Sequence, residues 1–279
     1  MSREFKPTIW ADSIFTQYEN ANVFLPLMNT SYQGQIKGKG DQVKINEIGS
    51  ATAQTYTKGT PLVYEELAEG AKYLKIDQQD YTATELDDID EAQNSPKLRQ
   101  AYAEKMAIAL GNAADLHVAS KYDQAGSTIT GTTGSPTSIT SADVAELFTD
   151  AGVTLDDNNV PVQGRCAVVP PWLAGKIQLA MLDKDTNNSM IGRMGYRGNY
   201  LGFSVFASNH ITKSGTTWYA PMFFRAGDTI AWANQITKVE TLRDKDYPVD
   251  YIRAFNTYGC KVIRPSSLAI AYVSKGAEA

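Results

Sequence analysis

Residues 34–80 constrain the fold of this chain more than any other part of its sequence. Two strand-like stretches, around 41–48 and 72–81, bracket the segment GSATAQTYTKGTPLVYEELAEG, which has few large apolar side chains and many Thr, Gly and Glu. An isolated two-stranded hairpin is at best marginally stable in water, because it buries too little apolar surface. We therefore predict a long hairpin arm that lies against a surface outside itself.

The glycine cluster that opens this segment, GQIKGKGDQVKI, has the composition of a phosphate-binding loop but not its spacing. A P-loop needs four residues between its two glycines, whereas three separate Gly34 from Gly38, and Gly40 stands where the hydroxyl residue should follow Lys39. The dinucleotide fingerprint fails because its third glycine position is Val43. Both motifs also lead into a helix, but a strand pattern follows here. We interpret the cluster as a glycine-supported turn that begins the hairpin.

A single long helix is predicted after the arm. Ser95 is a suitable N-cap, and Pro96 suits the first helical position. One face then carries apolar residues at spacings of three and four: Leu98, Tyr102, Met106, Ala109, Ala113 and Leu116. The predicted helix covers roughly 96–122 and is about 40 Å long at 1.5 Å per residue. We interpret the acidic residues before it as a solvated lead-in that suits the helix dipole, in preference to a metal site: Glu85, Asp87, Asp88, Asp90 and Glu91.

The second half of the sequence predicts a compact mixed region followed by long strands. The low-complexity stretch GSTITGTTGSPTSIT, residues 126–140, is interpreted as a loop that marks a boundary. Thr140 and Asp143 resemble a capping box for a helix that we expect to stop at Gly152. The last stretch alternates over long spans, which is typical of extended hairpin strands. The predicted division has five parts: residues 1–33, 34–80, 81–125, 126–235 and 236–279.

Composition and charge exclude several functional classes. The net charge is -5, and no basic tract indicates a sequence-reading nucleic-acid domain. No run approaches the roughly 18 apolar residues of a membrane span. The N-terminus contains Glu4 and Asp12 and lacks the apolar core of a signal peptide. The two cysteines, Cys166 and Cys260, predict a reducing compartment and no disulfide framework.

No catalytic, cofactor-binding or metal-binding site is predicted. His117 lies on the long helix and is interpreted as a packing residue. A pairing of Cys166 with His210 and a Ser/His/Asp arrangement both stay open, although no nucleophile elbow of the form G-x-S-x-G is present. The stretch DKDTN begins like a calcium loop, but Asn188 stands at the glycine position and Met194 at the position of the bidentate glutamate.

The order of these parts resembles the major capsid protein of tailed bacteriophages, which has the HK97-like fold. LMNTSYQGQIKGKGDQVKINEIG resembles the family's entry into its extended loop, and DDIDEAQNSPKLRQAYAEKMAIALGNAADLHVASKY resembles its spine-helix region. AVVPPWLAGKIQLAML and YLGFSVFASNH resemble elements of the central domain, and YGCKVIRPSSLAIAYV resembles the closing strands. The resemblance implies an α+β fold with an N-terminal arm, an extended β-hairpin loop, a peripheral domain with a spine helix, and a compact mixed α/β axial domain.

The resemblance also implies a function and partners. We expect a shell protein that assembles into hexamers and pentamers around the double-stranded DNA of a tailed phage, in the virion, after assembly in the host bacterial cytoplasm. The implied partners are a portal, a decoration protein in some family members, and DNA contacted without sequence preference, with no membrane. Because the arm starts almost at Met1, we expect either a separate scaffolding protein or removal of a scaffolding segment. The alternatives are an encapsulin-type nanocompartment shell and a soluble α/β enzyme.

The arm supplies the predicted contacts between subunits. The candidate residues are Lys37, Lys39, Lys44, Tyr56, Lys58, Tyr64, Glu65 and Glu66. We expect the lysines near the root to meet acidic side chains of a neighbouring subunit. Some family members form a covalent cross-link through a lysine in this loop. Lys58 lies near the tip, but the sequence shows no recognisable acidic catalyst or acceptor asparagine, so no cross-link is predicted.

Overall fold

The structure is a computed structural model that describes residues 22–32, 42–48, 69–87, 97–182, 196–215, 217–245 and 249–277, and the single positions 53, 55, 58, 59, 64 and 247. Its helices are α1 Lys97–Ala119, α2 Val144–Asp157 and α3 Pro171–Leu182. Its longer strands are β1 Gln42–Ile48, β2 Glu69–Lys75, β3 Gln78–Asp87, β6 Arg165–Val169, β7 Tyr196–Tyr200, β8 Phe203–Ala207, β11 Met222–Arg225, β12 Ile230–Arg243 and β13 Val249–Val262. Its short strands are β4 Ser127–Thr128, β5 Thr137–Ile139, β9 Lys213–Ser214, β10 Trp218–Tyr219, β14 Leu268–Ile270 and β15 Val273–Lys275.

The long helix packs on a three-stranded antiparallel sheet. The strand order is β12–β13–β3, and α1 contacts β3 and β13. The helix continues beyond Ala119 as a 3-10 turn, Ser120–Gln124. The predicted long helix is therefore confirmed, with its last residues wound more tightly than expected. Glu85 and Asp87, predicted as part of a solvated lead-in, belong to β3.

The buried face of α1 differs from the predicted one. Met106 is buried as expected, but Ala109 is exposed and Leu116 is 53% exposed. The other buried apolar residues of the helix are Ala103, Ala107, Leu110, Ala114, Val118 and Ala119. Because apolar side chains occur on both sides of this helix, helical spacing alone does not select the side that faces the core. The small side chains of the buried alanines let the helix lie close to the sheet, and the side of the helix that carries them faces the core.

The compact region is built around a six-stranded mixed sheet. Its order is β4–β14–β11–β6–β8–β7, and all five residues of β6 are buried. Helix α2 packs near β14, and α3 packs near β8. At the centre, the Phe148 ring meets Tyr200, Phe203 and Phe223 edge-to-face, at centroid distances of 5.1, 5.8 and 5.2 Å. These aromatic contacts join α2 to the sheet.

The last residues of the chain return to this compact region. β14 pairs in parallel with β4, and β15 pairs in parallel with β5. The stretch 126–140, predicted as a loop, therefore contains two short strands. A Cβ at Gly126 would overlap the backbone of Pro265, so glycine permits this close approach. The five-part division stays a prediction, but strand pairing places residues 268–275 with the compact region and residues 78–80 with β13.

A buried lysine, Lys176, forms hydrogen bonds both to β5 and to the C-terminal residues. The Lys176 ammonium on α3 is 5% exposed and donates hydrogen bonds to the carbonyls of Ile139, at 2.6 Å, and Gly276, at 2.9 Å. Hydrogen bonds from a charged donor are stronger than neutral ones, and a buried ammonium without them would be costly. Lys176 lies on α3 and therefore connects the C-terminal residues to β5.

Helix α2 shows only part of the predicted capping box and ends later than predicted. The Asp143 carboxylate accepts hydrogen bonds from the Thr140 amide at 2.9 Å and from the Thr140 hydroxyl at 2.7 Å, which is one half of the expected box. The helix begins at Val144, so the N-cap is Asp143 and not Thr140, and the Asp143 side chain forms no capping hydrogen bond to the helix amides. The expected stop at Gly152 is wrong, because α2 continues to Asp157. Leu155 in the last turn is fully buried, and this burial offsets the low helix propensity of glycine.

Candidate subunit-contact surfaces

The root of the arm, β1 with β2, is fixed to its own subunit by one face. The two strands pair antiparallel over seven residues each. The buried cluster beneath them consists of Val43, Ile45, Leu74, Ile76, Ala231, Ala233 and Ile263. The Lys72 ammonium also donates a hydrogen bond to the Ile263 carbonyl at 2.5 Å. The root therefore shares the core of the subunit, and the predicted shortage of core concerns the residues beyond it.

A single glycine sets the distance between the root and the three-stranded sheet. A Cβ at Gly259 on β13 would overlap the Lys75 carbonyl on β2. Only glycine lets the two backbones approach this closely without displacement. The position of the root is therefore determined by backbone contact as well as by its buried side chains.

The opposite face of the root points away from the subunit. Its exposed residues, which we call the outer root face, are Gln42, Lys44, Ala71, Tyr73 and Lys75. Lys44 lies directly across from Tyr73, and Lys75 lies across from Gln42. The face combines two ammonium groups with one aromatic ring that is 49% exposed. Such a combination suits a partner surface with both carboxylates and apolar side chains.

The described positions farther along the arm are exposed. Lys58 and Gly59 form a turn in which Gly59 has φ of 90°, in the left-handed region that favours glycine. Among the described residues, no heavy atom lies within 4 Å of the place where a Gly59 Cβ would be. The Tyr64 side chain is 89% exposed.

Three of the eight predicted contact residues lie in the described structure. Lys44 is on the outer root face, Lys58 is in the turn, and Tyr64 is exposed beyond it. The other five lie outside the described residues: Lys37, Lys39, Tyr56, Glu65 and Glu66. Their role in contacts between subunits stays a prediction.

The sequence analysis missed a second exposed surface, on the side of the three-stranded sheet away from α1. This outer sheet face carries Tyr81, Ala83, Glu85, Glu240, Leu242, Tyr251, Arg253 and Phe255. Tyr81 is 68% exposed and lies 5.9 Å from the Phe255 ring. The signal in the sequence was weak: residues 78–87 carry one aromatic residue, Tyr81, and residues 249–262 carry Tyr251 and Phe255 four positions apart. An even spacing places the last two on one face of a strand, but it does not show that this face is exposed.

One charge pair on the outer sheet face is formed within the subunit. Arg253 Nε donates to Glu240 at 2.7 Å, and its guanidinium lies 5.7 Å from the centre of the Phe255 ring. A hydrogen bond with Asp244 raises the pKa of Tyr251. The face therefore combines three aromatic rings with an arginine whose charge is paired within the subunit.

The residues considered for catalysis have separate structural roles. The buried Cys166 thiol donates to the Phe224 carbonyl at 3.3 Å, and burial raises its pKa far above the usual value. His210 Nε2 lies 3.1 Å from Asn112 Oδ1. The pairing of Cys166 with His210 is thus replaced by a different partner for each. His117 packs edge-on against Tyr258 at 5.5 Å, which confirms its interpretation as a packing residue.

The described residues also bear on metal binding and on membrane insertion. Both cysteines are free and buried. Within the part of the chain that the structure describes, no group of three His, Cys, Asp or Glu could hold a metal ion. The described helices include none that is long and apolar enough to cross a membrane. The calcium-loop-like stretch DKDTN begins at Asp183 and lies outside the described residues.

Comparisons with known proteins agree with this architecture. A family model described as phage capsid protein matches residues 47–271. A solved structure from Mycobacterium phage Che8 aligns with a TM-score of 0.69 and 28% identity, over 89% of this chain and 90% of that one. The capsid of cyanophage P-SCSP1u aligns with a TM-score of 0.68 and 17% identity, over 93% and 88%. A search of curated proteins by sequence found no match.

The fold is shared more widely than the family. The SrpI encapsulin of Synechococcus elongatus aligns with a TM-score of 0.57 and 10% identity, over all of this chain and 92% of that one. At this identity the alignment demonstrates the fold alone. The predicted HK97-like fold is confirmed. Because the family model covers well over half of its length, the chain belongs to the phage capsid protein family, as a major capsid protein of the virus shell.

Proposed function

We propose that copies of this capsid protein assemble into hexamers and pentamers of an icosahedral head that encloses the double-stranded DNA of a tailed phage. In this proposal the compact region around the six-stranded sheet meets its copies at each capsomer axis. Helix α1 and the three-stranded sheet form the peripheral part. The arm extends onto a neighbouring subunit, where its distal residues bury surface that they do not bury in their own subunit.

The observation that carries the proposal is the two-sided root of the arm. One face is buried in the subunit through Val43, Ile45 and Leu74, while the outer root face is exposed throughout. The anchored face fixes the base of the arm to its own subunit. An arm that is held at its base needs to lose less conformational freedom when it docks, which favours association.

The predicted contact residues belong to this proposal. Lys37, Lys39 and Lys44 would meet acidic side chains of the neighbour. Lys58, Tyr56, Tyr64, Glu65 and Glu66 would contact the neighbour farther along the arm. Each exposed charge pair contributes only about 0–1 kcal/mol, but contacts repeated across a closed shell add up.

The proposed partners follow from the same role. A separate scaffolding protein would guide assembly in the host bacterial cytoplasm, a portal would occupy one vertex, and a decoration protein would bind the finished shell. The packaged DNA would be contacted through its charge and not its sequence. A net charge of -5 favours enclosing a polyanion without gripping it.

The outer root face provides the test of this proposal. We expect the double variant Lys44→Glu, Lys75→Glu to lower the assembled fraction at least tenfold, because like charges would face the acidic partner surface. The assembled fraction is measured by sedimentation through a sucrose gradient after co-expression with scaffolding protein. Thermal unfolding of the free subunit should change by no more than about 2 °C, since both side chains are exposed.

The matched control is Lys44→Gln with Lys75→Gln, which removes the charges without reversing them. We expect it to assemble to an intermediate extent, and to depend less on salt than the wild type does. Wild-type assembly by the charge-reversed variant would contradict the proposed role of this face.

A further inference from the structure

The N-terminal segment is fastened to α1 at one carboxylate. The Val23 amide donates to Asp115 Oδ2 at 3.0 Å, and the Phe24 amide points at Asp115 Oδ1 at 3.4 Å. The Phe24 side chain is fully buried in the core cluster that contains α1. A helix residue thus holds two successive backbone amides of a segment that lies more than ninety positions earlier in the sequence.

The Asp115 side chain is buried at the place where it holds this segment. This side chain is 2% exposed, although aspartate is among the residues that are least often fully buried. Taking a carboxylate out of water disfavours its charged form, and the two amide hydrogen bonds favour it. At the Asp115 carboxyl, burial and hydrogen bonding therefore have opposite effects on the ionised form.

The neighbouring elements bring few charges to this site. Residues 22–32 contain no Asp, Glu, Lys, Arg or His. The closest titratable residues farther along α1 and its 3-10 turn are His117, which packs on Tyr258, and Lys121. On the loop after β8, His210 contacts Asn112, one helical turn before Asp115. Burial and the two amides are the causes that act on the Asp115 carboxyl.

We propose that the protonation state of Asp115 controls how firmly the N-terminal segment is held on α1. The segment is held more firmly when the Asp115 carboxyl is protonated than when it is ionised. The Asp115 carboxyl would thereby determine how tightly the chain at Val23 and Phe24 is tethered to the subunit. It acts within one subunit, so it does not depend on how the shell assembles.

The direction follows from linkage. Burial raises the pKa of Asp115 from 3.8 to about 7, and the amides of Val23 and Phe24 only partly oppose this. When the segment lifts, the carboxyl meets water and its pKa returns to the ordinary range. The docked state therefore binds the proton more tightly. Docking is strongest below about pH 4, weakens as pH rises to about 7, and is constant above that. Between pH 5 and pH 8 the expected change is on the order of 100-fold.

The test is hydrogen–deuterium exchange of the free subunit at pH 5 and pH 8. Protection factors of the Val23 and Phe24 amides, corrected for intrinsic exchange, report how often the segment lifts. We expect wild-type protection to fall on the order of 100-fold at the higher pH. Asp115→Asn should abolish this pH dependence, because asparagine does not titrate. Asp123→Asn, at an exposed position on the following 3-10 turn, is the matched control and should retain the pH dependence.

A second measurement needs no variant. The carboxyl carbon of Asp115 in the wild-type subunit can be titrated by nuclear magnetic resonance with ¹³C labelling. A midpoint near pH 7 supports the proposal, and a midpoint near pH 4 overturns it. Protection that is equal at both pH values, or pH dependence that persists in Asp115→Asn, overturns it as well. If Asp115→Asn does not fold, the titration decides.

Discussion

Replacing Phe148 with alanine is expected to lower the free energy of unfolding by about 3–5 kcal/mol. The Phe148 side chain is fully buried on α2, and its ring touches three other rings, those of Tyr200, Phe203 and Phe223. Alanine would leave a cavity between α2 and the aromatic side chains of three strands, β7, β8 and β11. Because these elements cannot all move inward together, we expect little relaxation of the cavity.

The change is measured by urea denaturation of the free subunit. The matched control is Val153→Ala on the same helix, where the side chain is 52% exposed. We expect the control to change the free energy of unfolding by about 0.5 kcal/mol or less, since little burial is lost. If the two variants lose similar stability, Phe148 is not the centre of the compact core.

Removing the distal arm is expected to abolish shell formation while leaving the subunit folded. The variant replaces residues 49–68 with Asn-Gly, a two-residue turn that suits a hairpin and preserves the pairing of Ile48 with Glu69. The described positions in this stretch, 53, 55, 58, 59 and 64, are all exposed. The buried cluster under the root is retained, so thermal unfolding should shift by no more than about 2 °C.

The assembled fraction is measured in the presence of scaffolding protein by sedimentation and by electron microscopy. A control variant keeps the length of the arm but replaces residues 50–68 with glycine and serine. We expect it to fail as well, because glycine and serine remove the exposed side chains, such as Tyr64, through which the arm is proposed to bind its neighbour. Shells formed by the shortened variant would contradict the role of the arm. A subunit that unfolds on shortening would instead place residues 49–68 in its own core.

The sequence predicted the arm and its position but not where its second strand ends. The stretch around 72–81 was predicted as a single strand, yet β2 ends at Lys75 and β3 begins at Gln78. The first part pairs with β1 and the second with β13. The exchange of partner depends on contacts with β13, about 180 positions later in the sequence, which the local pattern does not contain.

Two other features depend on distant partners in the same way. Asp115 occupies an ordinary helical position, and its hydrogen bonds join it to residues more than ninety positions earlier. The stretch 126–140 lacks strand periodicity, and its two short strands form only against β14 and β15. In contrast, the strand predicted around 41–48 was correct, since β1 covers Gln42–Ile48 and an alternating pattern is a local signal.

The central claim is that this chain forms a shell, and particle imaging tests it most directly. The purified protein, co-expressed with a candidate scaffolding protein, is imaged by electron microscopy and its mass is measured by analytical ultracentrifugation. We predict closed particles of uniform diameter whose mass corresponds to many copies of the chain. A strictly monomeric species at high concentration under the same conditions would contradict the account.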